Sequence, residues 1–175
     1  VDISPNGKTI AFDLLGHIYL MPSSGGTAEA ITKGTSWNML PRFSPDGEKI
    51  LFTSDRSGSD DLWVQNIKTG NMKNVSKMDI PVHQGTWSSD GKHVFGTALN
   101  MKVRHPVYRF NMYGKKQEII PAGSRSPVNH FAMHPTNNLI YFSHGDGPLY
   151  RSGDRIKTYN IQNGEIKTYV DRAGG

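Results

Sequence analysis

The feature that most constrains this chain is a motif used four times. Ser4-Pro5-Asn6-Gly7 precedes Thr9-Ile10-Ala11-Phe12, and Ser44-Pro45-Asp46-Gly47 precedes Lys49-Ile50-Leu51-Phe52. Ser88-Ser89-Asp90-Gly91 precedes His93-Val94-Phe95-Gly96, and His134-Pro135-Thr136-Asn137 precedes Leu139-Ile140-Tyr141-Phe142. The copies start 40, 44 and 46 residues apart. A period of about 40–50 residues built from short strands is that of one four-stranded propeller blade.

The chemistry of each copy is that of a turn feeding a strand. Proline fixes φ at the first turn position, and Asp or Asn follows. Gly, or Asn138 in the fourth copy, is expected in the left-handed position. In the strand, Ile10, Ile50, Val94 and Ile140 form one column, and Phe12, Phe52, Gly96 and Phe142 form the column two residues on. Period two places both columns on one face. Gly96 leaves a gap, expected either to weaken the third unit or to receive a bulky neighbour. A third strand follows at Ile18–Met21, Leu62–Val64, Val107–Phe110 and Ile156–Ile161. Lys68-Thr69-Gly70-Asn71 and Gln162-Asn163-Gly164-Glu165 are hairpin turns into outer strands at Met72–Lys77 and Ile166–Val170. No segment keeps a 3.6-residue period, so little helix is expected.

The expected fold is therefore all-β, a propeller of four-stranded antiparallel blades over residues 1–175. The blades fall at about 1–33, 37–77, 83–121 and 128–170. Four blades form either a small closed ring or part of a ring of six to eight, and a homo-oligomer completing a ring is a further arrangement. The chain begins inside an innermost strand and ends on Ala173-Gly174-Gly175, the pattern of a connection between blades, so a fragment of a longer ring is expected.

Ser44-Pro45-Asp46-Gly47 with Ile50-Leu51-Phe52-Thr53-Ser54-Asp55-Arg56, Gly58 and Leu62-Trp63-Val64 resembles the repeat of TolB-type propellers. Asp13-Leu14-Leu15-Gly16-His17-Ile18-Tyr19, Met21-Pro22, Gly25-Gly26 and Trp37 to Gly47 are similar to a narrower group. These are the TolB-like propellers fused ahead of a metal-dependent amidohydrolase domain in bacterial proteins. The likeness is strongest over the first third and weakens in blade three, where Ser89 replaces proline. It implies a binding or scaffolding module in the periplasm or outside the cell, with any metal chemistry in another domain.

The sequence itself offers little catalytic chemistry. It has no Gly-x-Ser-x-Gly elbow, His-Glu-x-x-His, phosphate-binding Gly-x-x-x-x-Gly-Lys or His-x-His pair. With zero cysteines it has no thiolate ligand or nucleophile. The 175 residues contain no apolar run of the roughly 18 a membrane span requires. No catalytic residue, cofactor or metal site is therefore assigned. His130 and His134 flank a short strand and are expected on the surface or lining a channel. Asp55, Ser57, Ser59 and Asp61 supply alternating oxygens that, with Asp60, could suit calcium, but without an EF-hand pattern, and Asp55 is expected to accept loop amides instead.

Charge is uneven. Residues 1–87 hold eight Lys/Arg against nine Asp/Glu, and residues 88–175 hold twelve against six. Lys102, Arg104, Arg109, Lys115, Lys116, Arg125, Arg151, Arg155 and Lys157 are expected either on solvated strand edges or on a face that docks an acidic protein or ligand. Aromatics are not interleaved among them, which speaks against nucleic acid. The connection from Ser143 to Asp154 is long for a hairpin, so His144, Tyr150 and Arg151, with Arg104 and Arg109, are the candidate binding residues.

Overall fold

A computed structural model describes residues 1–98, 106–120, 131–134, 136–144 and 155–170. All regular structure among them is strand. Blade one comprises β1 (Asp2–Ile3), β2 (Thr9–Leu14), β3 (His17–Pro22) and β4 (Glu29–Ala30). Blade two comprises β5 (Asn38–Phe43), β6 (Lys49–Ser54), β7 (Asp61–Asn66) and β8 (Met72–Asn74). Blade three comprises β9 (Val82–Trp87), β10 (His93–Ala98), β11 (Val107–Asn111) and β12 (Lys116–Ile120). Blade four comprises β13 (Phe131–Met133), β14 (Leu139–His144), β15 (Arg155–Asn160) and β16 (Ile166–Val170). Each blade is one antiparallel sheet with its strands in sequence order. β8 stops at Asn74 because its side chain bends the chain away. Asn74 Oδ1 accepts the amides of Ser76 and Lys77, and Ser76 Oγ donates to Asp61.

The turn before each second strand is closed by its own side chains. Ser44 Oγ donates to Asp46 and accepts Lys49 N at 2.9 Å, while Asp46 Oδ1 accepts Glu48 N at 3.0 Å. Ser4 with Asn6, and Ser88 with Asp90, repeat the pattern. Gly7, Gly47 and Gly91 take the positive φ that the turn demands. Asn138, expected to do the same, does not have positive φ. In that turn, His134 Nδ1 takes the serine's place and accepts Thr136 N and Asn137 N, both at 3.2 Å. An acceptor that fixes both amides holds the turn without a left-handed residue.

Blades stack through the faces of their second and third strands. Ile50 and Phe52 point toward blade one and are fully buried with Ala11 and Ile18. Leu51, on the other face of β6, packs with Leu62 and Val64 against Val82 and Val94 of blade three. Ile140 and Phe142 meet Phe95 and Val107 in the same way. The two columns therefore lie on the face each blade turns to its predecessor. In blade one, Ile10 and Phe12 remain half-buried, because no described blade precedes them.

The gap at Gly96 is filled by neighbours. A Cβ there would stand 2.6 Å from Leu62 Cδ1 and 2.7 Å from Val82 Cγ1, and a Cβ on Gly85 would stand 2.9 Å from Leu51 and Leu62. Blade three thus gives up two side chains to receive the leucines of blade two. A polar strap reinforces blade two itself, on the face it turns to blade one. Arg56 lies over the rings of Phe52 and Trp63, at 5.5 and 5.1 Å, and donates to Ser54 Oγ at 3.0 Å and to Asn38 Oδ1.

Phe52→Ala should destabilise the chain by about 3–5 kcal/mol, the range for truncating a buried aromatic. Urea denaturation reads this directly, and a loss under about 1 kcal/mol would mean that the column faces solvent. Gly96→Ala should lower the same midpoint by about 1–3 kcal/mol through overpacking, whereas Gly58→Ala, with open space around it, suffers only its backbone strain.

Candidate binding site at the propeller axis

The innermost strands β1, β5, β9 and β13 carry the motif turns to one end of the arc. There they enclose a concavity of about 430 Å³ lined by residues of all four blades. Its apolar part is formed by Ile3, Phe43, Trp87 and Met133, with Phe43 and Trp87 nearly buried. Asp2, Arg42, Thr86 and His134 provide its polar part. Neighbouring inner strands are tied together here. Asp2 Oδ2 accepts Phe43 N at 2.8 Å, and Trp87 Nε1 donates to Arg42 O at 3.2 Å. The turn prolines also contribute, since a Cβ on Gly47 or Gly91 would lie 3.5 or 3.6 Å from the Pro5 or Pro45 ring of the preceding turn.

Arg42 brings a cation to this mouth. Its Nη1 donates to the carbonyls of Val1 at 3.2 Å and Pro41 at 3.1 Å. No ion pair to a carboxylate engages it among the described residues. A half-buried guanidinium in a concavity that aromatic residues also line suits a carboxylate or backbone carbonyl of an extended peptide. The Ser44 and Ser88 hydroxyls are engaged in their turns, and His134 Nδ1 is occupied by backbone amides.

The residues singled out in the sequence are dispersed. Asp55 Oδ1 accepts Trp37 N at 2.8 Å. Asp60 pairs with His83 Nε2 at 2.9 Å. Asp61 is buried and accepts Ser57, Asn74 and Ser76. The three carboxylates serve separate structural partners, and no group of three metal-ligating side chains occurs among the described residues. Arg109 lies on β11, in a second concavity with His93, Asn111, Lys115, Lys116 and Gln117. His144 ends β14, with its backbone opposite Arg155. Arg104, Tyr150 and Arg151, and with them His130 and the loop from 145 to 154, lie outside the described residues. The axial residues Asp2, Arg42 and Trp87 were missed in the sequence. The signal for them was position, since Arg42 and Trp87 stand just ahead of the turn serines of their repeats.

A family model described as the TolB beta propeller domain matches residues 2–172. Tricorn protease homolog 1 of Streptomyces coelicolor is 30% identical over 89 residues, 50% of this chain and 8% of that protein. A protein TolB homolog of Chlorobium luteolum is 28% identical over 91 residues, 52% of this chain and 20% of that protein. The solved structure of a TolB from Agrobacterium tumefaciens superposes with a TM-score of 0.79 at 21% identity, covering 95% of this chain and 62% of that one. This chain therefore spans only part of each relative's length.

The motif turns that frame the mouth carry a pH dependence. Burial pushes the Asp46 carboxyl up, but hydrogen bonds from Ser44, Glu48 N and Lys49, with the Lys49 charge, outweigh it and hold it below 3.8. Asp90 behaves alike, through Ser88, Lys92 N and the His93 and Lys92 charges. A depressed carboxyl stabilises the fold fully above its unfolded value of about 3.8, and the contribution is lost as pH falls through the folded value. Replacing both with Asn, as Asn6 already does in blade one, should flatten the acid limb of a urea midpoint measured from neutral to strongly acidic pH. An unchanged acid limb would place the titration elsewhere.

Proposed function

The chain belongs to the TolB beta-propeller domain family, and from that premise we propose that it is a non-catalytic binding and scaffolding module. Its axial mouth receives an extended segment of a partner protein. The observation that carries this reading is Arg42, a half-buried cation without a carboxylate partner among the described residues, set beside Phe43 and Trp87 in a concavity to which all four blades contribute. A carboxylate or carbonyl of the incoming segment would complete the guanidinium's hydrogen bonding, and its apolar side chains would cover the aromatic floor. The absence of catalytic motifs in the sequence supports binding rather than turnover. The apolar faces at the two ends of the arc are covered, in this reading, by further repeats or by a second copy. The family resemblance supports a location in the periplasm or outside the cell. No helix among the described residues is long and apolar enough to cross a membrane.

A second reading is favoured by the likeness to a tricorn protease homolog. The propeller would then position substrate for a catalytic domain outside this chain, either a protease or a metal-dependent amidohydrolase of the kind fused behind the propellers that the first third resembles. The same mouth would serve, with substrate in place of a partner segment.

Binding of an identified partner peptide, followed by Trp fluorescence, tests the first reading. Arg42→Glu should weaken it by about 2 kcal/mol or more, the hot-spot range, and Ser89→Trp should block it sterically. Equal affinity in both variants would move the site away from the axis. Peptidase or amidase turnover by this chain alone, lost on mutating its own residues, would overturn a non-catalytic role.

A further inference from the structure

Arg109 stands where the other blades place an uncharged side chain. Strand pairing matches it with Leu20, Val64 and Thr158, each opposite the residue between the two apolar columns. Val64 and Thr158 are buried at that position. In blade three the site holds a guanidinium, backbone-paired with Phe95, and a charge there is gained at the expense of packing between blades. His93 from β10, Asn111 at the end of β11, and Lys115, Lys116 and Gln117 at the start of the outer strand complete a concavity of about 240 Å³. No carboxylate lines it among the described residues.

The cations are held in place. Gln117 Oε1 accepts Arg109 Nη2. Asn111 Oδ1 accepts Tyr113 N at 2.9 Å and Lys115 N at 3.0 Å, and Asn111 N donates to Lys115 O, fixing the turn that presents both lysines. Protection of an outer edge against strand pairing explains Lys115 and Lys116. It does not explain Arg109 or His93, which sit one and two strands further in.

We propose that this concavity binds a compact, multiply charged oxyanion of the phosphate class, with Arg109 as the forked donor and Lys115 and Lys116 as flanking charges. The state of His93 agrees. Burial, and then the Arg109 charge, hold its pKa below 6.5, with Lys92 adding to the effect and Asp90 opposing it. An anion beside Arg109 offsets that repulsion, so binding and protonation of His93 favour each other.

The test is titration of the full chain with inorganic phosphate at ionic strength held constant with chloride. The His93 ring resonance is followed across pH, and affinity is measured by calorimetry. Saturable binding with an upward shift of the His93 titration is expected. Lys115→Gln with Lys116→Gln, both exposed positions, should weaken binding about tenfold or more. Arg109→Gln should remove the His93 shift, and the remote Lys68→Gln should leave both readouts unchanged. Glycerol phosphate provides a second arm. Tighter binding than inorganic phosphate identifies a phosphate carried on a larger molecule, and equal binding identifies the free ion. A His93 shift that chloride reproduces, or affinities equal in the wild type, the lysine pair variant and Arg109→Gln, overturns the site.

Discussion

In a stack of sheets the second strand of every blade must be apolar on both faces. β6 shows the consequence, with Ile50 and Phe52 against blade one and Leu51 against blade three. A strand with one wet face alternates, but this one carries Ile-Leu-Phe in succession. Its hydrogen bonding is satisfied by β5 and β7 on either side. The side chains are then free to bond blades together, and the other regular features follow from that contact. The serine–aspartate turn starts the strand in register, the left-handed glycine lets the chain reverse, and the cation–π strap of Arg56 closes the strand's far end.

The same constraint marks the two ends of the arc. Ile18, Leu62 and Val107 occupy equivalent third-strand positions and are fully buried, whereas Ile156, their counterpart in blade four, is 41% exposed. Ile10 and Phe12 are likewise less covered than Ile50 and Phe52. Faces built to be buried stay apolar whether or not a neighbour is present. These two faces are therefore of the kinds that meet elsewhere between successive blades.

Departures from the repeat have local causes. Gly85 and Gly96 match Leu51 and Leu62 across the contact between blades two and three, a small-for-large exchange that conserves interface volume. His134 replaces the turn serine with a different pattern, its ring nitrogen accepting the amides two and three residues on where the serines accept the amide five residues on. Arg109 is not offset by any such packing exchange. It places charge at a position between blades, where polar atoms of β10, β11 and β12 gather around it.

Much of the architecture was legible in residue order. Turn chemistry and period-two columns depend only on neighbours along the chain, so the four repeats, the dominance of strand among the described residues and the burial of Ile50, Phe52, Ile140 and Phe142 could be read directly. The resemblance to TolB-type propellers rested on the same local residues. The candidate sites were less legible, because the axial one is assembled across repeats and the other across three strands of blade three. Arg42 has no sequence neighbour that marks it as a ligand residue. It acquires its setting only when β1, β5, β9 and β13 converge, bringing Asp2, Trp87 and His134 alongside. Asp55, Asp60 and Asp61 illustrate the converse. Their spacing left a shared cation as the lesser reading, and the fold directs them to Trp37, His83 and Ser76 separately. The sequence alone determined the repeat and the faces that must be buried, since both follow from backbone sterics and side-chain polarity at fixed spacing. The tertiary structure decided which polar groups share a cavity, because that depends on contacts between different strands, at the axis between residues some 40 or more positions apart.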